Sequence, residues 1–182
     1  MKKVYLFLAE GFEEVEAIAP IDLLKRAGAN VITVSIANEL TVNGAHAIPV
    51  TADTTIFDGD FCDGDMIVLP GGYPGYQNLA NCKQLFKVID YYFNNKKLIA
   101  AICASPAEVL GKNGYLKDYD AVCYKGMEAG LNCKNNPDTA VCVSNNIITS
   151  KSAGTAIDFA LALITALFGN EKMQNIKESI IY

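Results

Sequence analysis

Tryptophan is absent from the 182 residues, histidine occurs once, at His46, and no apolar run approaches the roughly 20 residues a membrane-spanning helix needs. The chain therefore reads as soluble, with no membrane partner. The apolar run over residues 4–9 is too short for the core of a signal peptide and follows two lysines, so the expected location is the cytoplasm. Basic clusters are also missing. Fifteen lysines and arginines face twenty acidic residues, a formal charge of −5, and none of the basic residues interleave with aromatics as a nucleic-acid groove requires. The six cysteines, at 62, 82, 103, 123, 133 and 142, include no Cys-x-x-Cys pair, and His46 is remote from them in sequence. No metal site of the cysteine–histidine kind is expected, and no motif for an organic cofactor is found. Without an export signal the six thiols are expected to stay reduced. With no linker, repeat or low-complexity stretch, one domain over residues 1–182 is expected.

What is present is an alternation of short apolar runs with amphipathic segments. Residues 3–9 read as a strand, residues 15–27 carry apolar side chains at helical spacing up to Gly28, and residues 31–36 read as a second strand. Asn43-Gly44, between short β-type runs, predicts an inserted hairpin. The strand over 66–69 ends at Pro70-Gly71-Gly72 and precedes a helix predicted over 78–93. Residues 98–102 form the next buried strand, followed at once by Cys103 and by Ser105-Pro106, a predicted cap and first turn of a helix. Further strands are predicted over 121–124, 140–143 and 147–150, then helices over 154–168 and 171–178. Such alternation implies an α/β fold, a mostly parallel sheet with helices on both faces.

In such sheets, ligands bind beyond the carboxyl ends of the strands. Three turns fall there: Glu10 to Glu14, Pro70-Gly71-Gly72, and Cys103. A thiol beside the free N–H groups of a helix's first turn is favoured as thiolate. Small neighbours let Ile102-Cys103-Ala104 bend as a nucleophile elbow, with the N–H groups of Gly72 and Ala104 facing a substrate oxygen. An arbitrary cysteine is more often a core residue. The elbow position reverses that preference for Cys103 alone, with Cys123 as the next candidate. By composition Glu13, Glu14 and Glu16 are solvated helix residues and His46 a structural or surface one.

Five motifs then stand together in order. Gly11-Phe12-Glu13-Glu14-Val15-Glu16, Asp22 to Gly28, Leu69-Pro70-Gly71-Gly72, Ala100 to Pro106 around Cys103, and Thr149 to Thr155 resemble the DJ-1/ThiJ/PfpI superfamily, specifically its DJ-1 branch. The resemblance implies a flavodoxin-like sandwich and a homodimer packed through the first helix near Val15. It implies that Cys103 is a reactive, easily oxidised nucleophile and Glu16 the acid bonded to it, with Gly71, Gly72 and Ala104 as oxyanion or substrate-binding groups. Tyr124, followed by Lys125, stands where many relatives place a histidine followed by proline. Arg26 matches an arginine that reaches the neighbouring subunit's site, and Ala153 stands where relatives often carry proline. The activity so implied acts on small reactive carbonyls, of glyoxalase or deglycase type, with no metal or organic cofactor. The alternative is an oxidative-stress sensor or chaperone-like protein in which Cys103 becomes a sulfinate. A PfpI-type protease is disfavoured because Ala104, not histidine, follows the cysteine.

Overall fold

A computed structural model describes residues 1–182. The chain runs β1 (Lys3–Leu8), α1 (Glu14–Arg26), β2 (Asn30–Ser35), β3 (Thr41–Asn43), β4 (Pro49–Thr51), β5 (Thr54–Thr55) and β6 (Met66–Leu69). It continues through α2 (Gly75–Ala80), α3 (Lys83–Asn94), β7 (Leu98–Ile102), β8 (Val141–Ser144), β9 (Ile147–Ser150), α4 (Ala156–Phe168) and α5 (Asn170–Ser179). Seven strands form one sheet in the order β5-β2-β1-β6-β7-β9-β8, parallel throughout except for β8, which pairs antiparallel with β9. β3 and β4 form a separate antiparallel pair.

The central strands β1, β6, β7 and β9 are buried on both faces. In β1, Val4, Leu6 and Leu8 pack with α1 and α4, while Tyr5 and Phe7 point into the opposite cluster with Leu85, Val88, Ile89 and Tyr92 of α3. This two-sided burial is why the strands read as continuous apolar runs. No helix is long and apolar enough to cross a membrane.

Four expectations need correction. The predicted helix over 78–93 is two helices, because Asn81 turns its amide onto the Gln77 carbonyl at 2.9 Å and Cys82 is extended. The inserted hairpin is present, but Asn43-Gly44 is not a two-residue turn: Gly44 N–H bonds Ile48 O at 3.0 Å, and the link between the strands is longer. Residues 121–124 form no strand, since their N–H groups serve unrelated partners: Asn135 O, Thr149 Oγ1 and Cys103 O. Ser105 does not cap. Its backbone is already helical and its hydroxyl donates instead to Pro70 O at 2.5 Å, ahead of a π-helical segment, Pro106–Gly111.

Candidate active site

Cys103 lies just beyond the carboxyl end of β7 with φ of +66°, a left-handed conformation that costs a residue bearing a Cβ about 1–2 kcal/mol. Neighbouring backbone holds it there. Cys103 N–H donates to Ser150 O at 3.0 Å, and Tyr124 N–H donates to Cys103 O at 2.7 Å. Ser105, through Pro70, ties this turn to the glycine turn that follows β6.

Glu16 reaches the same point from the first turn of α1. It is 1% exposed, its Oε2 accepts Gly71 N–H at 2.9 Å, and its carboxyl and the Cys103 thiol crowd the same face of Gly71. The helix start is fixed by Glu13, whose Oε2 accepts Glu16 N–H at 2.7 Å while Glu13 N–H donates to Gly71 O at 2.9 Å. A Cβ at Gly71 would stand 2.6 Å from Cys103 Cβ, 2.7 Å from Glu16 Oε2 and 3.0 Å from Cys103 Sγ. Glycine is needed there for room. At Gly72 it is needed twice over, because φ is +93° and a Cβ would meet Glu13 N at 2.2 Å.

The electrostatics differ from the sequence expectation. Burial and the Glu16 carboxylate push the Cys103 thiol up to about 12, outweighing the nearby backbone N–H groups of Ala104 and Gly72, which favour thiolate. Burial likewise raises Glu16 to about 7, against the bonds from Cys103 and Gly71. Two acids sealed together hold one negative charge more easily than two, so the pair titrates as a unit and Glu16 ionises at neutral pH.

The structure thus brings together Cys103, Glu16, Gly71, Gly72 and Ala104, with the Tyr124 backbone against them. The Tyr124 side chain is exposed and lines a neighbouring cavity of about 360 Å³ with Cys123, Lys125 and Lys151. Arg26 is not brought in. It sits ten residues along α1, roughly 15 Å from Glu16, and pairs with Asp22 at 2.7 Å. All six cysteines are free, and burial pushes Cys123 up to about 12. Sequence reasoning missed three contributors: Glu13 as the cap, Ser105 as the tie between turns, and the Ala153 backbone, which favours the charged form of Glu16. The three-residue spacing of Glu13 and Glu16 was the available signal for the first.

The model of the DJ-1/PfpI family matches residues 2–166. The chain is 36% identical over 181 residues to Protein DJ-1 homolog B of Arabidopsis thaliana, covering 99% of this chain but 41% of that protein. It therefore spans less than half the length of that relative. It is 32% identical over 173 residues to Glutathione-independent glyoxalase DJR-1.2 of Caenorhabditis elegans, covering 92% of this chain and 89% of that one. Among solved structures, oxidized Toxoplasma gondii DJ-1 matches with a TM-score of 0.97 at 36% identity, covering 100% of this chain and 99% of that one.

Proposed function

The chain belongs to the DJ-1/PfpI family, and from that premise we propose that Cys103 and Glu16 act as nucleophile and base on small reactive carbonyls such as methylglyoxal. The observation that carries this reading is the buried Glu16 carboxyl, raised to about 7 and set beside a thiol on a strained elbow. A base poised near the working pH suits proton abstraction. As Sγ adds to the aldehyde carbon, the thiol proton passes to Glu16 and the carbonyl oxygen takes up negative charge. The Gly72 and Ala104 N–H groups, already at the sulfur, are placed to receive that oxygen. Glu16 returns its proton to the oxygen, giving a hemithioacetal. It then moves a proton from the former aldehyde carbon to the adjacent carbon through an enediol, leaving a thioester. Water cleaves the C–S bond, releasing a 2-hydroxy acid and the thiol. Atoms balance as one carbonyl substrate plus one water, with no outside oxidant.

The glyoxalase name of the nematode relative supports this substrate class. The exposed Val15 and Ile18 on α1 support a homodimer through that helix. Six free thiols suit a reducing compartment such as the cytoplasm. Loss of methylglyoxal consumption in Cys103→Ser, with the fold intact by circular dichroism, is the expected result; normal turnover in that variant rejects the reading. A second reading is favoured by the oxidised state of the Toxoplasma gondii relative. In a redox sensor, the same N–H groups and the protonated Glu16 would hold a Cys103 sulfinate. Mild peroxide followed by mass spectrometry decides it: first oxidation at Cys62 or Cys82 removes its basis. Peptidase chemistry has no imidazole available, since His46 is engaged with Glu14 on the inserted hairpin.

A further inference from the structure

We propose that Glu13, Glu14 and His46 form a binding site for a divalent transition-metal ion of the zinc class, separate from the Cys103–Glu16 pair. One ligand atom from each residue lies within 4.8 Å of the other two. The donors come from two elements, the start of α1 and the turn between β3 and β4, and backbone bonds lock those elements together. Gly11 N–H donates to Asn43 O and Ala45 N–H to Phe12 O, both at 2.8 Å. His46 N–H donates to Glu14 Oε1 at 2.7 Å, and His46 Nδ1 lies 2.8 Å from Glu14 Oε2. The absence of a Cβ at Gly44 makes the space for this carboxylate, because a Cβ there would stand 2.2 Å from Oε1.

Glu13 supplies the third ligand. Its Oε2 is committed to the Glu16 N–H, whereas its Oε1 accepts no hydrogen bond within the chain. One imidazole nitrogen and two carboxylate oxygens leave a coordination position for water, the pattern of open zinc sites. The imidazole selects zinc, cobalt, nickel or copper over magnesium and calcium. In a tetrahedral site with bonds near 2.1 Å, ligand atoms stand about 3.4 Å apart. The ion thus takes the place of the proton shared by His46 and Glu14, which part by about half an ångström, while the Glu13 side chain closes in. A search for cysteine-rich spacing passes over such a site because its ligands are 33 positions apart and contain no thiol.

His46 is the only histidine, so its imidazole proton signals are unique in the NMR spectrum of the full chain. Added Zn²⁺ is expected to shift them saturably in the wild type. Glu13→Gln and Glu14→Gln are each expected to raise the Zn²⁺ concentration required by about tenfold or more. Glu13→Gln preserves the helix cap, since the amide oxygen still accepts the Glu16 N–H, and so serves even if Glu14→Gln loosens the hairpin. Unmoved His46 signals in the wild type, including the case where the thiols take up the zinc, overturn the proposal. So does an undiminished affinity in Glu13→Gln, which would reduce the cluster to a surface ion pair.

Discussion

Glu14 and Glu16 stand two residues apart in the first turn of one helix, 7% and 1% exposed, and their carboxyls move in opposite directions. Burial works against the charge of both. At Glu14 the His46 imidazole and backbone N–H overcome it and hold the carboxyl below its ordinary value. At Glu16 the partner is itself an acid, the Cys103 thiol, and burial wins. Each carboxyl also occupies space vacated by a glycine, Gly44 for one and Gly71 for the other, and neither glycine has a positive φ. The two are built alike and differ in partner. A basic partner makes Glu14 a fixed anion clasping the hairpin, whereas an acidic one leaves Glu16 holding a proton it can exchange at neutral pH.

The contrast between the two carboxyls matters most for the proton that Glu16 can exchange. Glu16→Gln keeps the shape and the bond from Gly71 but cannot take the thiol's proton, so kcat/KM for methylglyoxal is predicted to fall by about 10²–10⁴. Turnover within threefold of wild type would show that Glu16 is not the base. The next effect is on stability. An acid raised from 4.5 to about 7 on folding leaves stability intact below pH 4.5 and withdraws it as pH rises through 7. The shift of about 2.5 units corresponds to roughly 3 kcal/mol. Urea titrations from pH 4 to 8 should therefore show wild type losing about that much relative to Glu16→Gln, and parallel curves would contradict it.

A smaller loss, about 1–3 kcal/mol of overpacking, is expected for Gly71→Ala, whose methyl group lands between Cys103 and Glu16. Because it parts the pair, it should also change the rate and pH dependence of iodoacetamide labelling at Cys103. Labelling indistinguishable from wild type would mean that the pair tolerates separation.

The elbow, the parallel sheet and the three converging turns were legible because each rests on local signals: an apolar run, a glycine pair, a proline in a first turn. The charge state of Cys103 was not. A helix N-terminus beside a cysteine argues for thiolate, but the burial that defeats it comes from packing between β7, α1 and the turn after β6, distant in sequence. The same holds for Glu14, which a composition rule places in solvent and which Gly44 and His46, some 30 residues later, enclose. Residues 121–124 misled for a related reason. They are as apolar as a strand, yet Thr149 and Asn135 take their N–H groups, so no ladder forms.

The least effect, and the one that separates the two glutamates by sign, concerns Glu14→Gln. A carboxyl lowered on folding contributes stability above its unfolded value of 4.5 and loses it as pH falls through the folded value. His46, raised by the hydrogen bond and charge of Glu14, contributes below its unfolded value of 6.5 and loses that contribution as pH rises through its folded value. Both contributions are present together only between about pH 4.5 and 6.5. The deficit of Glu14→Gln should therefore be greatest there and should shrink on either side, smaller throughout than the effects above because water screens the exposed imidazole. Glu16→Gln instead departs from wild type in one direction only, growing toward high pH. A Glu14→Gln variant that instead gained on wild type steadily as pH rose, as Glu16→Gln does, would mean that its environment does not distinguish it from Glu16, and that the imidazole on the hairpin does not hold its charge.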